Sequence, residues 1–112
     1  MSEVVVVGSF KAQPGKEAEA LAAFKDLVGP THGEEGCILY ALHQGADDSS
    51  HLAFVERWES RELLNAHLES PHVAALLARA EELFGDSGSI IVYDAVPEGE
   101  TKKGSLAAHA AG

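Results

Sequence analysis

The chain has 112 residues, of which 46% are apolar, and 18 acidic side chains against 8 basic ones give a formal charge of −10. That length supports one domain, burying about two-thirds of its unfolded surface. The acidic balance excludes nucleic-acid partners, which need clustered Lys and Arg, and disfavours anionic membrane surfaces.

Val4, Val5, Val6 and Val7 open a β-branched run that predicts a first strand over residues 4–10. Pro14 and Gly15 break it. From Lys16, Ala20, Leu21, Phe24, Leu27 and Val28 recur at helical intervals, and Gly29-Pro30 is expected to end that helix. Residues 36–44 read as a second strand, 45–50 as a polar hairpin loop and 51–58 as a third strand. Ser60 is the expected N-cap of a short helix carrying Leu63, Leu64 and Leu68. Ser70-Pro71 restarts the helix, with Val73, Leu76, Leu77, Ala80, Leu83 and Phe84 as its apolar stripe. Gly85 and Gly88 bracket a turn before a last strand over residues 89–95. Residues 1–97 are thus the expected domain, and residues 98–112, almost free of large apolar side chains, a flexible tail.

The single Cys37 rules out an internal disulfide framework. No apolar run approaches the roughly 20 residues that span a bilayer, and Met1-Ser2-Glu3 lacks the basic start of a signal peptide. A cytoplasmic location is the expectation.

The order strand, helix, strand, strand, broken helix, strand predicts an α+β fold of the ferredoxin-like, split βαβ type, a four-stranded antiparallel sheet with helices on one face. The strands are apolar at odd and even positions alike, whereas a sheet with one wet face alternates. Both faces need cover and the helices suffice for one. A second copy of the same sheet supplies the other, which predicts a two-fold homodimer.

In the third strand Leu52, Phe54, Glu56 and Trp58 share one face, and His51, Ala53, Val55 and Arg57 the other. Glu56 either reaches water or a basic partner at the strand end, or is a partly buried acid with a raised pKa. His67, on the Leu63, Leu64 and Leu68 stripe, is either a hydrogen-bonded core residue or a base above the Glu56 and Trp58 face. His72, in the first turn of the next helix, is a surface residue or a pocket-rim one. Tyr40 is grouped with Ile38 and Leu42 on one strand face; Cys37, Leu39, Ala41 and His43 are grouped on the other, with Cys37 a small core hydrophobe. His67 and His72 lie five apart across a break, without the i,i+4 geometry of a helical zinc pair, so no metal site is expected. There is no Gly-rich phosphate loop and no nucleotide or flavin signature.

The run from Glu34-Glu35-Gly36-Cys37 through Tyr40 and His43, then Phe54, Glu56-Arg57-Trp58-Glu59-Ser60, His67 and Ser70-Pro71-His72, closely resembles the antibiotic biosynthesis monooxygenase (ABM) domain family. Small quinol monooxygenase-like members are most similar, over roughly residues 3–96. The resemblance implies ferredoxin-like subunits that pair through their sheets into a dimeric α+β barrel. It implies a cofactor-independent monooxygenase that oxidises a quinol or planar phenol with O2 to a quinone, using neither metal nor flavin. In that chemistry His67 is the base and Glu56 its orienter or a proton shuttle. Trp58, Phe54 and Tyr40 form an aromatic wall for the small aromatic substrate, and His72 is a rim donor. Haem-degrading members need an Asn, a Trp and a proximal His where this chain has Gly8, His67 and Leu77, which argues against haem. The same motif occurs in members with other activities. A non-catalytic dimer binding a small aromatic ligand, and an isomerase or detoxifying enzyme of a small oxygenated metabolite, are the alternatives.

Overall fold

The valine run forms β1 (Val4–Lys11), an inner strand of the sheet, and its alternate residues Val4, Val6 and Gly8 are buried against the helices. The computed structural model describes residues 2–109. After β1 come α1 (Glu17–His32), β2 (Cys37–Gln44), β3 (His51–Trp58), α2 (Arg61–Leu68), α3 (Pro71–Leu77), α4 (Ala80–Phe84) and β4 (Ser89–Tyr93). The four strands pair antiparallel in the order β2-β3-β1-β4, which is the ferredoxin-like topology. The last strand stops at Tyr93, two residues short of the expected end. Beyond it lie a single helical turn, α5 (Thr101–Gly104), and a 3-10 turn, Leu106–His109. The tail expected over residues 98–112 runs past the described residues at its end.

Two elements depart from the sequence reading in ways that build the site. Helix α1 does not stop at Gly29-Pro30 but continues to His32. A proline so close to the C-terminus removes one backbone bond, and Gly29 has no Cβ to clash with the ring. The extra turn buries Thr31 completely and closes on Gly33 and Glu34, whose N–H groups donate to Pro30 and Thr31 carbonyls at 3.2 and 3.0 Å. The second departure is a bulge in β2. Cys37 pairs with Trp58 and Leu39 with Arg57, so Ile38 is the extra residue. Past the bulge Tyr40 lies opposite Glu56 and Leu42 opposite Phe54. Cys37 and Tyr40 therefore share the helix-covered face, and the expected grouping of Cys37 with Leu39 is corrected.

The stripe expected as one helix over residues 71–84 is split by a tight turn in which Arg79 N–H donates to the Leu76 carbonyl at 2.9 Å. The turn lets α4 aim Leu83 and Phe84 at the core and leaves Leu77 59% exposed. Phe84 stacks on Phe24 at 4.8 Å between ring centroids, Phe24 meets Phe54 edge-on at 4.9 Å, and Phe54 stacks on Tyr40 at 4.4 Å. This file of rings runs across the core and ends at the imidazole of His67.

The opposite face of the sheet carries Val5, Val7, Leu39, Ala41 and Val55, all half-buried, with Ile91 and Tyr93 exposed. Arg57 on that face is buried because its guanidinium grips Glu3, Nη2 donating to Oε1 at 2.8 Å and Nε to Oε2.

Candidate active site

Strand β3 delivers Phe54, Glu56 and Trp58 to the helix side by simple alternation. Ser60 then starts α2, its hydroxyl accepting from Leu63 N–H at 3.2 Å, and the helix turns Leu64 and His67 inward. Leu68, expected on the same stripe, is 39% exposed. Ser70 caps α3 in the same way, with Pro71 at its first position.

The Trp58 indole is wholly buried and donates from Nε1 to Glu56 Oε1 at 2.9 Å. His67 lies against the indole, with 4.7 Å between ring centroids, and meets the Tyr40 ring edge-on at 5.3 Å. Burial pushes the Glu56 carboxyl up to about 7; the Trp58 hydrogen bond opposes this and the nearby Glu34 charge adds to it. Burial, then the Glu56 charge, also holds the Tyr40 phenol well above its ordinary range. The same effects, with Glu34 ahead of Glu56, push the Cys37 thiol up to about 11.

The partner of His67 is Glu34, not Glu56. His67 Nδ1 donates to Glu34 Oε2 at 2.7 Å, and His72 Nε2 donates to the same oxygen at 2.8 Å while lying 3.2 Å from Ser70 Oγ. Glu34 reaches this position from the turn after α1. Gly36 completes that turn at φ +85°, where a Cβ would sit 2.5 Å from the Leu63 side chain. With Nδ1–H committed to Glu34, the neutral His67 ring carries its lone pair on Nε2. That nitrogen makes no hydrogen bond among the described residues. The sequence reading gave Glu34 no role, because a glutamate in a polar turn reads as a solvated one, and its partner is 33 positions away. It also kept His67 and His72 apart on helical spacing. The break between α2 and α3 brings both to one carboxylate.

A cavity of about 70 Å3 opens between the sheet and the helices, lined by Val6, Gly8, Tyr40, Phe54, Leu76 and Ile90 among others, with Glu56 and His67 in its wall. Gly8 supplies a floor without a side chain, where a Cβ would lie 3.2 Å from the Phe10 ring. Of the residues singled out from sequence, Phe54, Tyr40, Glu56 and His67 line this cavity. Trp58 lies behind it, tethering Glu56, and His72 lines a neighbouring groove with Asp26 and Arg79. At about 70 Å3 the cavity is under half the roughly 150 Å3 that takes one benzene ring, so a planar apolar molecule enters only if the lining moves. The groups in its wall can accept a proton at His67 Nε2 and give or take one at Glu56.

The sequence model of the family described as antibiotic biosynthesis monooxygenase matches residues 3–79. A protein of Mycobacterium tuberculosis named "Putative monooxygenase Rv0793" is 34% identical over 82 residues, 73% of this chain and 80% of that one. Its solved structure superposes with a TM-score of 0.81, covering 88% of this chain and all of the other. The structure of PA3566 from Pseudomonas aeruginosa, 24% identical over 86% of this chain and 96% of that one, shares the fold with a TM-score of 0.81. The Synechocystis protein sll1783 is 27% identical over 80% of this chain, which spans only 61% of its length. No helix among the described residues is long and apolar enough to cross a membrane. With the family match covering three of the four strands, the Glu34 turn and both histidines, the chain belongs to the antibiotic biosynthesis monooxygenase family.

Proposed function

We propose that the protein is a cytoplasmic, cofactor-independent monooxygenase that oxidises a quinol or planar phenol with O2 to a quinone, acting as a homodimer through its open sheet faces. The observation that carries this reading is His67, fixed at Nδ1 by Glu34 and unpartnered at Nε2 in the wall of an apolar cavity. His67 Nε2 takes the phenolic proton. The electron-rich anion passes one electron to O2, and the radical pair joins to form a C–O bond at a ring carbon bearing hydrogen. Loss of that hydrogen as a proton breaks the O–O bond, leaving one oxygen as the new carbonyl and the other as water. A free phenol titrates near 10 and an ordinary imidazole near 6.5, so the site must stabilise the anion as well as accept the proton. Glu56, with a carboxyl that titrates at about 7, holds a proton part of the time and serves as the shuttle to the departing oxygen. Tyr40 and Phe54, stacked on each other, offer a flat wall, and the remaining apolar lining excludes water.

The apolar residues at both faces of β1, β3 and β4 support the dimer, since Val5, Val7 and Val55 are only half-buried and Ile91 and Tyr93 are exposed. A second reading, a dimer that binds a small aromatic molecule without turning it over, is favoured by the hydrogen bonds that lock both histidines to Glu34. Oxygen uptake separates the two. Chelator-treated protein is given a panel of hydroquinones, corrected for autoxidation, beside His67→Ala. Saturable uptake lost in the variant is the expected result. Uptake at the background rate across the panel, with aromatic ligands still bound, establishes the second reading instead.

A further inference from the structure

Beside the cavity, and not lining it as a whole, three donor atoms converge: Glu34 Oε2, His67 Nδ1 and His72 Nε2, all within 4.8 Å of one another. They come from the turn after α1, the last turn of α2 and the first turn of α3, so their meeting is a product of the fold rather than of a local motif. We propose that this cluster is a binding site for one divalent transition-metal ion of the zinc class.

The donor set decides the class. Two imidazole nitrogens and one carboxylate oxygen suit zinc, nickel or copper, whereas magnesium and calcium take oxygen ligands. Bonds of about 2.0–2.1 Å place donors roughly 3.0–3.4 Å apart around such an ion. Glu34 Oε2 now stands 2.7 and 2.8 Å from the two nitrogens, which themselves stand up to 4.8 Å apart, so a coordination centre opens when Glu34 withdraws by about half an ångström and the partly exposed His72 ring swings toward His67 by roughly 1.5 Å. Glu34 has the freedom to make that move, since its side chain sits on a turn and is 18% exposed. His72, 20% exposed, marks the side from which an ion and its remaining waters enter. Ser70 Oγ, 3.2 Å from His72 Nε2, adds an oxygen beside that entrance. The carboxylate, in a chain of net charge −10, favours a cation electrostatically.

Occupation has a consequence that rests on the proposed base. The ion takes the same His67 nitrogen that now donates to Glu34, so the ring proton moves to Nε2, the atom proposed as the base. A bound ion then turns the acceptor of the proposed reaction into a donor, and inhibits it.

The test uses the full chain without an affinity tag, stripped with chelator and titrated with Zn2+ by calorimetry and with Co2+ by visible absorption. One ion per chain with a Kd in the micromolar range or tighter is expected, with a Co2+ spectrum showing nitrogen ligation. Glu34→Gln and His72→Gln should each weaken binding at least tenfold while circular dichroism stays unchanged. His43→Ala with His51→Ala, which removes the hairpin histidines, should leave it alone. Binding weaker than about 100 μM overturns the site, as does tight binding that follows the hairpin histidines instead. X-ray absorption on the wild-type protein reads the ligand set directly if a variant fails to fold, and a shell without two imidazoles overturns it too. Ion binding without inhibition of oxygen uptake upholds the site and removes His67 as the base.

Discussion

Trp58 Nε1 donates to Glu56 Oε1 at 2.9 Å, so the one indole of the chain anchors the one carboxylate that lines the cavity. The anchor does not offset the burial of that carboxylate, whose pKa stands at about 7 against 4.5 for an unburied glutamate. The folded state thus holds the Glu56 proton more tightly than the unfolded chain does. This group costs no stability below pH 4.5, and the cost grows as pH rises from there through 7. Glu56→Gln keeps an acceptor for Trp58 and removes the cost. Urea unfolding should find the variant more stable than wild type at pH 8, by up to about 3 kcal/mol, and equal to it near pH 4. A difference that does not change with pH contradicts the assignment.

Glu34 holds His67 as the carboxylate of a triad holds its imidazole. In the proposed reaction, Glu34→Gln should lower turnover of a quinol by roughly 10- to 1,000-fold with little change in KM, because it disturbs the tautomer and not the cavity. Imidazole 15N shifts check the same point without any substrate. Wild type should show His67 protonated at Nδ1, and the variant a mixture of tautomers.

Cys37 is half-buried, and burial with the Glu34 and Glu56 charges keeps its thiol protonated, with a pKa of about 11. At pH 8 its thiolate fraction is roughly two orders of magnitude below that of a free cysteine. Alkylation by iodoacetamide should be slower by about that factor, and Glu34→Gln should speed it. Labelling at the rate of a free thiol contradicts the raised pKa.

Gly36→Ala forces a side chain into φ +85° and against Leu63. A loss of about 2–4 kcal/mol is expected from the backbone strain and the overlap together. Thermal unfolding measures it, and the surviving folded fraction should also lose the Glu34 contact to His67.

Much of this was legible in the sequence because it depends on alternation and capping. Period-two spacing put Phe54, Glu56 and Trp58 on one face, and serine caps at Ser60 and Ser70 set the starts of α2 and α3. Helix periodicity brought His67 above that face. The bulge at Ile38 was not legible, since it depends on pairing between β2 and β3 and shifts every later side chain of β2. Nor was the role of Glu34. Its position depends on α1 running past Pro30, a local rule overridden by the burial of Thr31, and on a contact between distant parts of the chain.

Strand β3 alternates between the cavity and the open face: Phe54 and Glu56 look one way, Val55 and Arg57 the other. Neighbouring residues rise only about 3.3 Å apart, so the two surfaces are two sides of one thin wall. A substitution that slides this strand to suit whatever covers Val55 also carries Glu56 relative to His67. In the proposed dimer, subunit pairing and the proposed proton transfer would thus be mechanically joined, and a change on one side would register on the other.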